Sequence, residues 1–161
     1  MALEGQVHAF NFDQIRADIK NSSSSTAIYV GCDSQVFYKK GIPHVAYATA
    51  IVLHIDSRAG GRLHRNVVVE PHYGSLKQRL MREVGFAIEA ALEIVDVIEN
   101  RPFQIHLDIN PDENHKSSIC VKEAAGYVLG CLGIQPTLKP NAFVASSVSD
   151  RFAVKIANNY G

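Results

Sequence analysis

Four acidic residues stand out by position: Asp33, Glu83, Asp108 and Asp150. Asp33 closes an apolar stretch in Gly31-Cys32-Asp33-Ser34-Gln35, where a carboxylate needs donors or a cation, because an unpaired buried charge is strongly disfavoured. It also fits a turn or capping Asp. Glu83 lies three residues from Leu80 and four from Ala87, on the flank of a helical apolar stripe; the plain alternative is a boundary glutamate with its head in water. Asp108 alternates with His106 and Asn110, which places three polar side chains on one face of a strand. In Ser147-Val148-Ser149-Asp150 the spacing fits a capping box as well as a functional acid. Were these groups to converge, each like-charged pair at about 5 Å would cost on the order of 3 kcal/mol. Such a cluster calls for cations, and hard oxygen ligands suit Mg²⁺ or Mn²⁺.

The elements that must position these acids can be read from patterning. Residues 10–20 carry Phe10, Phe12, Ile15 and Ile19 at helical spacing, and the polar run 21–25 reads as a linker. The expected division is therefore an N-terminal helix and Ser-rich linker over 1–25, then one domain over 26–161. Residues 26–32 are β-branched and apolar almost throughout, as in a strand covered on both faces. A turn at Lys39-Lys40-Gly41 leads to a strand over 45–55, and Gly60-Gly61 signals a hairpin into a third over 62–70. Residues 76–99 draw one long helix, 103–109 a fourth strand, and 116–132 a helix stopped by Gly133. A short fifth strand over 135–139 and a last helix over 145–158 complete the chain. Three antiparallel strands followed by alternating helix and strand predict an α/β three-layer domain: a five-stranded mixed sheet with helices on both faces.

Composition narrows the function. At 161 residues the chain is one domain's worth, able to bury about 68–70% of the surface it exposes when unfolded. Sixteen basic residues balance sixteen acidic ones, which argues against coating nucleic acid by bulk charge but leaves room for local basic patches. No apolar run approaches the ~18–20 residues of a membrane span, and MALEGQVHAF lacks a signal-peptide pattern. Three cysteines form no ligand cluster, so a reducing cytoplasm is the default location.

In element order and in its four acidic positions, the chain resembles the ribonuclease H-like superfamily of nucleases. More specifically it resembles the bacterial YkuK-like family, through Tyr29-Val30-Gly31-Cys32-Asp33-Ser34-Gln35, Ile105-His106-Leu107-Asp108-Ile109 and the run from Lys139-Pro140-Asn141 to Ser149-Asp150. The resemblance implies a nuclease that hydrolyses phosphodiester bonds in RNA, RNA–DNA hybrid or structured DNA with two ions of Mg²⁺ or Mn²⁺ about 3.5–4 Å apart. Asp33 and Asp108 would be principal ligands, Glu83 and Asp150 would complete one ion each, and no nucleophilic Ser or Cys is required. Ser34, Gln35, His115, Lys116 and Lys139 are the candidate substrate contacts, and His72 and His106 are read as structural. Basic groups at Lys39-Lys40, at Arg58, Arg62 and Arg65, and at Lys77, Arg79 and Arg82 could meet phosphates or be plain solvated surface.

Two features depart from many ribonucleases H. The loop 140–145 has no histidine, and the chain has no tryptophan with which to build a Trp-rich basic handle. Two other readings compete: a catalytically silent domain that keeps the fold for nucleic-acid binding or assembly, and an actin-like ATPase-type nucleotide-binding domain. The second lacks its phosphate-loop glycine after Asp33 and a second lobe.

Overall fold

The computed structural model describes residues 5–55, 61–72, 74–142 and 144. Its centre is a mixed sheet in the order β1-β4-β3-β2-β5, formed by β1 (Gly5–His8), β2 (Ala27–Lys39), β3 (Ile42–His54), β4 (Gly61–Pro71) and β5 (Phe103–Leu107). β2, β3 and β4 form the expected antiparallel meander, and β5 adds to β2 in parallel. Lys40 and Gly41 both have positive φ between partners Lys39 and Ile42, the two-residue hairpin geometry whose twist matches its strands.

Four of the five expected strands are present. The fifth, over 135–139, reduces to one parallel bridge between Thr137 and His106, although Thr137 N–H donates to Ile105 and Leu107 N–H donates to Thr137. Pro136 lies within this stretch and Pro140 directly follows it, and proline cannot donate to a ladder, which limits the pairing to that bridge. The far edge is taken instead by β1, which pairs with β4 and carries no strand pattern strong enough to announce it.

Asp33 does not end its strand. β2 continues six residues beyond it to Lys39 because β3 supports every position, even though the polar Asp33-Ser34-Gln35 interrupts the apolar run. What ends near Asp33 is the partner on the other side, since the β5 ladder stops at Cys32–Leu107.

The helices depart from expectation in detail. The single helix over 76–99 is α2 (Leu76–Leu92) followed by a separate turn, α3 (Val95–Ile98). Residues 116–132 begin as a 3₁₀ turn (Lys116–Cys120) before α4 (Val121–Leu132), which Gly133 closes in the left-handed conformation. α1 (Phe12–Lys20) is capped by Asn11. All four α-helices contribute to one apolar cluster, in which Ile15 and Ile19 join Ile28, Val30, Ile51, Ile88 and Ile105. The described helices thus cover one face, not both. The opposite face is nevertheless buried, with Ala46, Ala48, Ala50, Val67 and Val69 at most 1% exposed. The expected last helix over 145–158 lies outside the described residues. The N-terminal segment is tied in on both sides: Arg16 grips Asp96 with two hydrogen bonds of 2.6 and 2.7 Å, and Asp18 accepts from Arg62 at 2.8 Å.

Candidate active site

Three of the four acids converge. Asp33 from β2, Glu83 from the middle of α2 and Asp108 just past β5 each offer a carboxylate oxygen, and these oxygens lie within 4.8 Å of one another. Asp150 lies outside the described residues. Local structure explains the convergence. The parallel pairing of β2 with β5 sets Asp33 and Asp108 one step beyond the last ladder pair on adjacent strands. α2 packs across β2, β3 and β5, and Glu83 sits among its buried residues rather than at a watery boundary. The start of α2 is fixed by a capping box in which Ser75 and Gln78 satisfy each other's backbone donors.

Two of the three acids are buried. Asp33 is 7% and Glu83 5% exposed, while Asp108 keeps one edge toward solvent. Burial pushes the Glu83 carboxyl up to about 8, and the Asp108 charge adds to the rise; the Ser34 hydroxyl, Arg79 and Lys139 oppose it. The Ser34 hydroxyl donates to Glu83 Oε2 at 2.6 Å. Lys139 Nζ lies 2.6 Å from Asp108 Oδ1 and is itself held more firmly protonated by that carboxylate. The chain positions Lys139 through the Thr137 bridge and through its own N–H, which donates to Ile109. The Cys32 thiol, next along β2, is pushed well up by burial and by Glu83, which makes it inert as a nucleophile.

The donor set is all carboxylate oxygen, as hard cations require. Asp108 Oδ1 is a buried atom with no aligned hydrogen-bond donor among the described residues, Lys139 meeting it as an ion pair only. Without an ion the cluster lowers its charge by holding a proton on Glu83 and by drawing in Lys139. The residues present therefore fit a divalent cation.

The remaining candidates separate clearly. Ser34 and Lys139 touch the cluster. The Gln35 side chain turns to the Val36 carbonyl at 3.3 Å, and His115 and Lys116 are exposed at the start of the 3₁₀ turn. His106 is fully buried: its Nε2 pairs with Gln104 Oε1 at 2.8 Å, its Nδ1 accepts from Val144 N–H, and burial lowers it to about 4, so it is a neutral structural tether. His72 instead lines a cavity of about 300 Å³ with Ser75, Gln78, Arg79 and Arg82, beside the N-terminal end of α2. The sequence alone marks His72 as structural; the strand-to-helix junction brings it to the same cavity as Arg79. A larger cavity of about 520 Å³, lined by Phe10, Phe12, Val68 and Phe86, contains none of the acids.

The sheet thus carries two acids on adjacent strands, just past their last ladder pair, and a third on the helix that follows the meander. The ribonuclease H-like family model matches residues 11–154, and the chain belongs to that family. It is similar to "Uncharacterized protein YkuK" of Bacillus subtilis (strain 168), 26% identical over 148 residues that cover 83% of this chain and 82% of the relative. No solved structure shows a significant match.

Proposed function

We propose that the chain is a divalent-metal-dependent nuclease that hydrolyses phosphodiester bonds in RNA, RNA–DNA hybrid or structured DNA. The observation that carries the reading is the convergence of Asp33, Glu83 and Asp108. These three residues would hold Mg²⁺ or Mn²⁺, with Asp150 as the fourth ligand of a two-ion set. The bound ions supply an activated water and compensate the charge that develops on the phosphoryl oxygens and the leaving oxygen. For its part, the chain must release the Glu83 proton, and the Ser34 hydroxyl then steadies the ionised carboxylate. Lys139, now paired with Asp108 beside the cluster, would be placed to meet a substrate phosphate. Arg79 and His72 face phosphates at the start of α2, and Gln35, His115 and Lys116 contact the strand further out. Such an enzyme suits the cytoplasm, and among the described residues no helix is long and apolar enough to cross a membrane.

A second reading, a silent nucleic-acid-binding domain, draws support from Lys139, whose ammonium already neutralises Asp108. Melting the protein with and without Mn²⁺ separates the two. An ion at one hundred times its dissociation constant adds about 2.7 kcal/mol, which for a chain of this length is a rise of roughly 5–10 °C. Asp33→Asn should abolish that rise. Cleavage of labelled single-stranded, duplex, hybrid and branched substrates should require the metal and vanish in Asp108→Asn, which stays folded. A wild-type melting point indifferent to millimolar Mn²⁺, or cleavage that survives Asp108→Asn, rejects the nuclease reading.

A further inference from the structure

The β2–β3 ribbon runs past the last β5 pair and ends in a tip with unusual chemistry. Tyr38 and Ile42 there are 60% and 58% exposed, beside Lys39 and Lys40. No acidic residue occurs between positions 34 and 46. The tip is braced: the turn is two residues long, the Phe37 ring stacks on His44 with centroids 5.6 Å apart, and His44 Nδ1 donates to the Ile42 carbonyl at 3.0 Å. Strand alternation places Tyr38 on the face of Ser34, which holds Glu83, and Lys39 on the face of Asp33. His72 N–H donates to Pro43, the cross-strand partner of Tyr38, and so joins the tip to the cavity lined by Arg79. The tip thus adjoins the strand-to-helix junction whose cavity is lined by His72, Arg79 and the Glu70–Arg82 pair.

We propose that this hairpin tip is an accessory nucleic-acid grip, with Tyr38 stacking on a base and Lys39 and Lys40 meeting phosphates. It rests on the nuclease reading for its choice of partner. Aromatic rings that accept any base, next to cations that track the backbone, are the means by which single strands are held. Lysine is depleted from protein–protein interfaces, so the Lys pair favours phosphate over a second protein. Tyr38 lies five residues from Asp33 along β2, about 17 Å at 3.3 Å per residue, or roughly five nucleotides at the 3.4 Å rise of a stacked strand. Affinity should therefore climb as an oligonucleotide lengthens through about that number and level off beyond it.

The test is fluorescence anisotropy of labelled single-stranded RNA and DNA of increasing length, titrated with the full chain in EDTA so that no cleavage occurs. Tyr38→Ala should weaken binding by about 5- to 150-fold and flatten the length dependence. Lys39→Gln with Lys40→Asn, the latter chosen because Asn tolerates the positive φ at that position, should lower the slope of log affinity against log salt by about 1.4. Tyr38→Trp installs a lone tryptophan in a chain that has none, and its emission should be quenched when the oligonucleotide binds. Wild-type affinity and slope in the hairpin variants overturn the proposal, as does a wild-type chain that binds no oligonucleotide. A change in self-association with unchanged oligonucleotide affinity also overturns it and makes the tip a contact between copies. Loss of binding in the variants of a chain that cleaves nothing rejects the nuclease reading alone. Metal-dependent cleavage with unaltered binding in the variants rejects the grip alone.

Discussion

Glu83 carries the clearest electrostatic consequence at the residue scale. Its carboxyl titrates near 8 in the folded chain and near the ordinary 4.5 when unfolded. Below about pH 4.5 both states hold the proton; between there and about 8 only the folded state does, so metal-free stability declines as pH rises through that window. The decline is a few kcal/mol at most, at about 1.4 kcal/mol per unit of separation. Denaturant titrations in EDTA at pH 5, 6.5 and 8 should show it, and Glu83→Gln should remove most of the slope. Metal should reverse the trend, because an ion displaces that proton, so Mn²⁺ affinity should climb with pH up to about 8. The three acids that converge were legible in the sequence: Asp33 at the close of an apolar run, Glu83 on the flank of an apolar stripe, and Asp108 on a polar strand face. What the sequence hid is that Glu83 is buried: helical spacing puts it on the flank of the stripe, and only the packing of α2 over three strands decides that this flank faces inward.

Among the elements, α2 holds the cluster's middle member, and its first turn depends on two side chains. Ser75→Ala removes the hydroxyl that accepts from Gln78 N–H at 3.2 Å and breaks the reciprocal box. The expected cost is about 1 kcal/mol, or a drop of roughly 2–4 °C in melting temperature. Hydrogen-exchange protection should fall first over residues 76–80, while the centre of α2 stays protected by its burial. The meander and the parallel return of 103–107 were readable because each strand has its own apolar run and turn signals. The stretch over 135–139 has a strand-like composition, but Pro136 within it and Pro140 after it leave room for one bridge only. β1 was not readable, because Gly5–His8 has neither alternation nor an apolar run and owes its strand conformation to the open edge of β4.

On the scale of the whole molecule, α1 and β1 are part of the folded core and sheet. Ile15 and Ile19 are fully buried in the same cluster as the strands that bear the acids, and β1 covers the β4 edge. Ile15→Ala should cost 2–5 kcal/mol, far more than loss of the exposed Arg16–Asp96 pair, which belongs to the class worth up to about 1 kcal/mol. Chemical denaturation of Ile15→Ala and Arg16→Ala side by side measures the contrast, and equal losses would mean that α1 is held by its surface contacts.

The ladder between β2 and β5 stops one residue short of two of the acids, and the third arrives on a helix from between them in the chain. No short segment of the polypeptide can assemble that oxygen cage, so cation capture must follow closure of the sheet and cannot nucleate it. Kinetically, Mn²⁺ should leave the refolding rate almost untouched and slow unfolding instead. During synthesis the polypeptide would remain blind to the ion until the strand that precedes Asp108 has left the ribosome and docked.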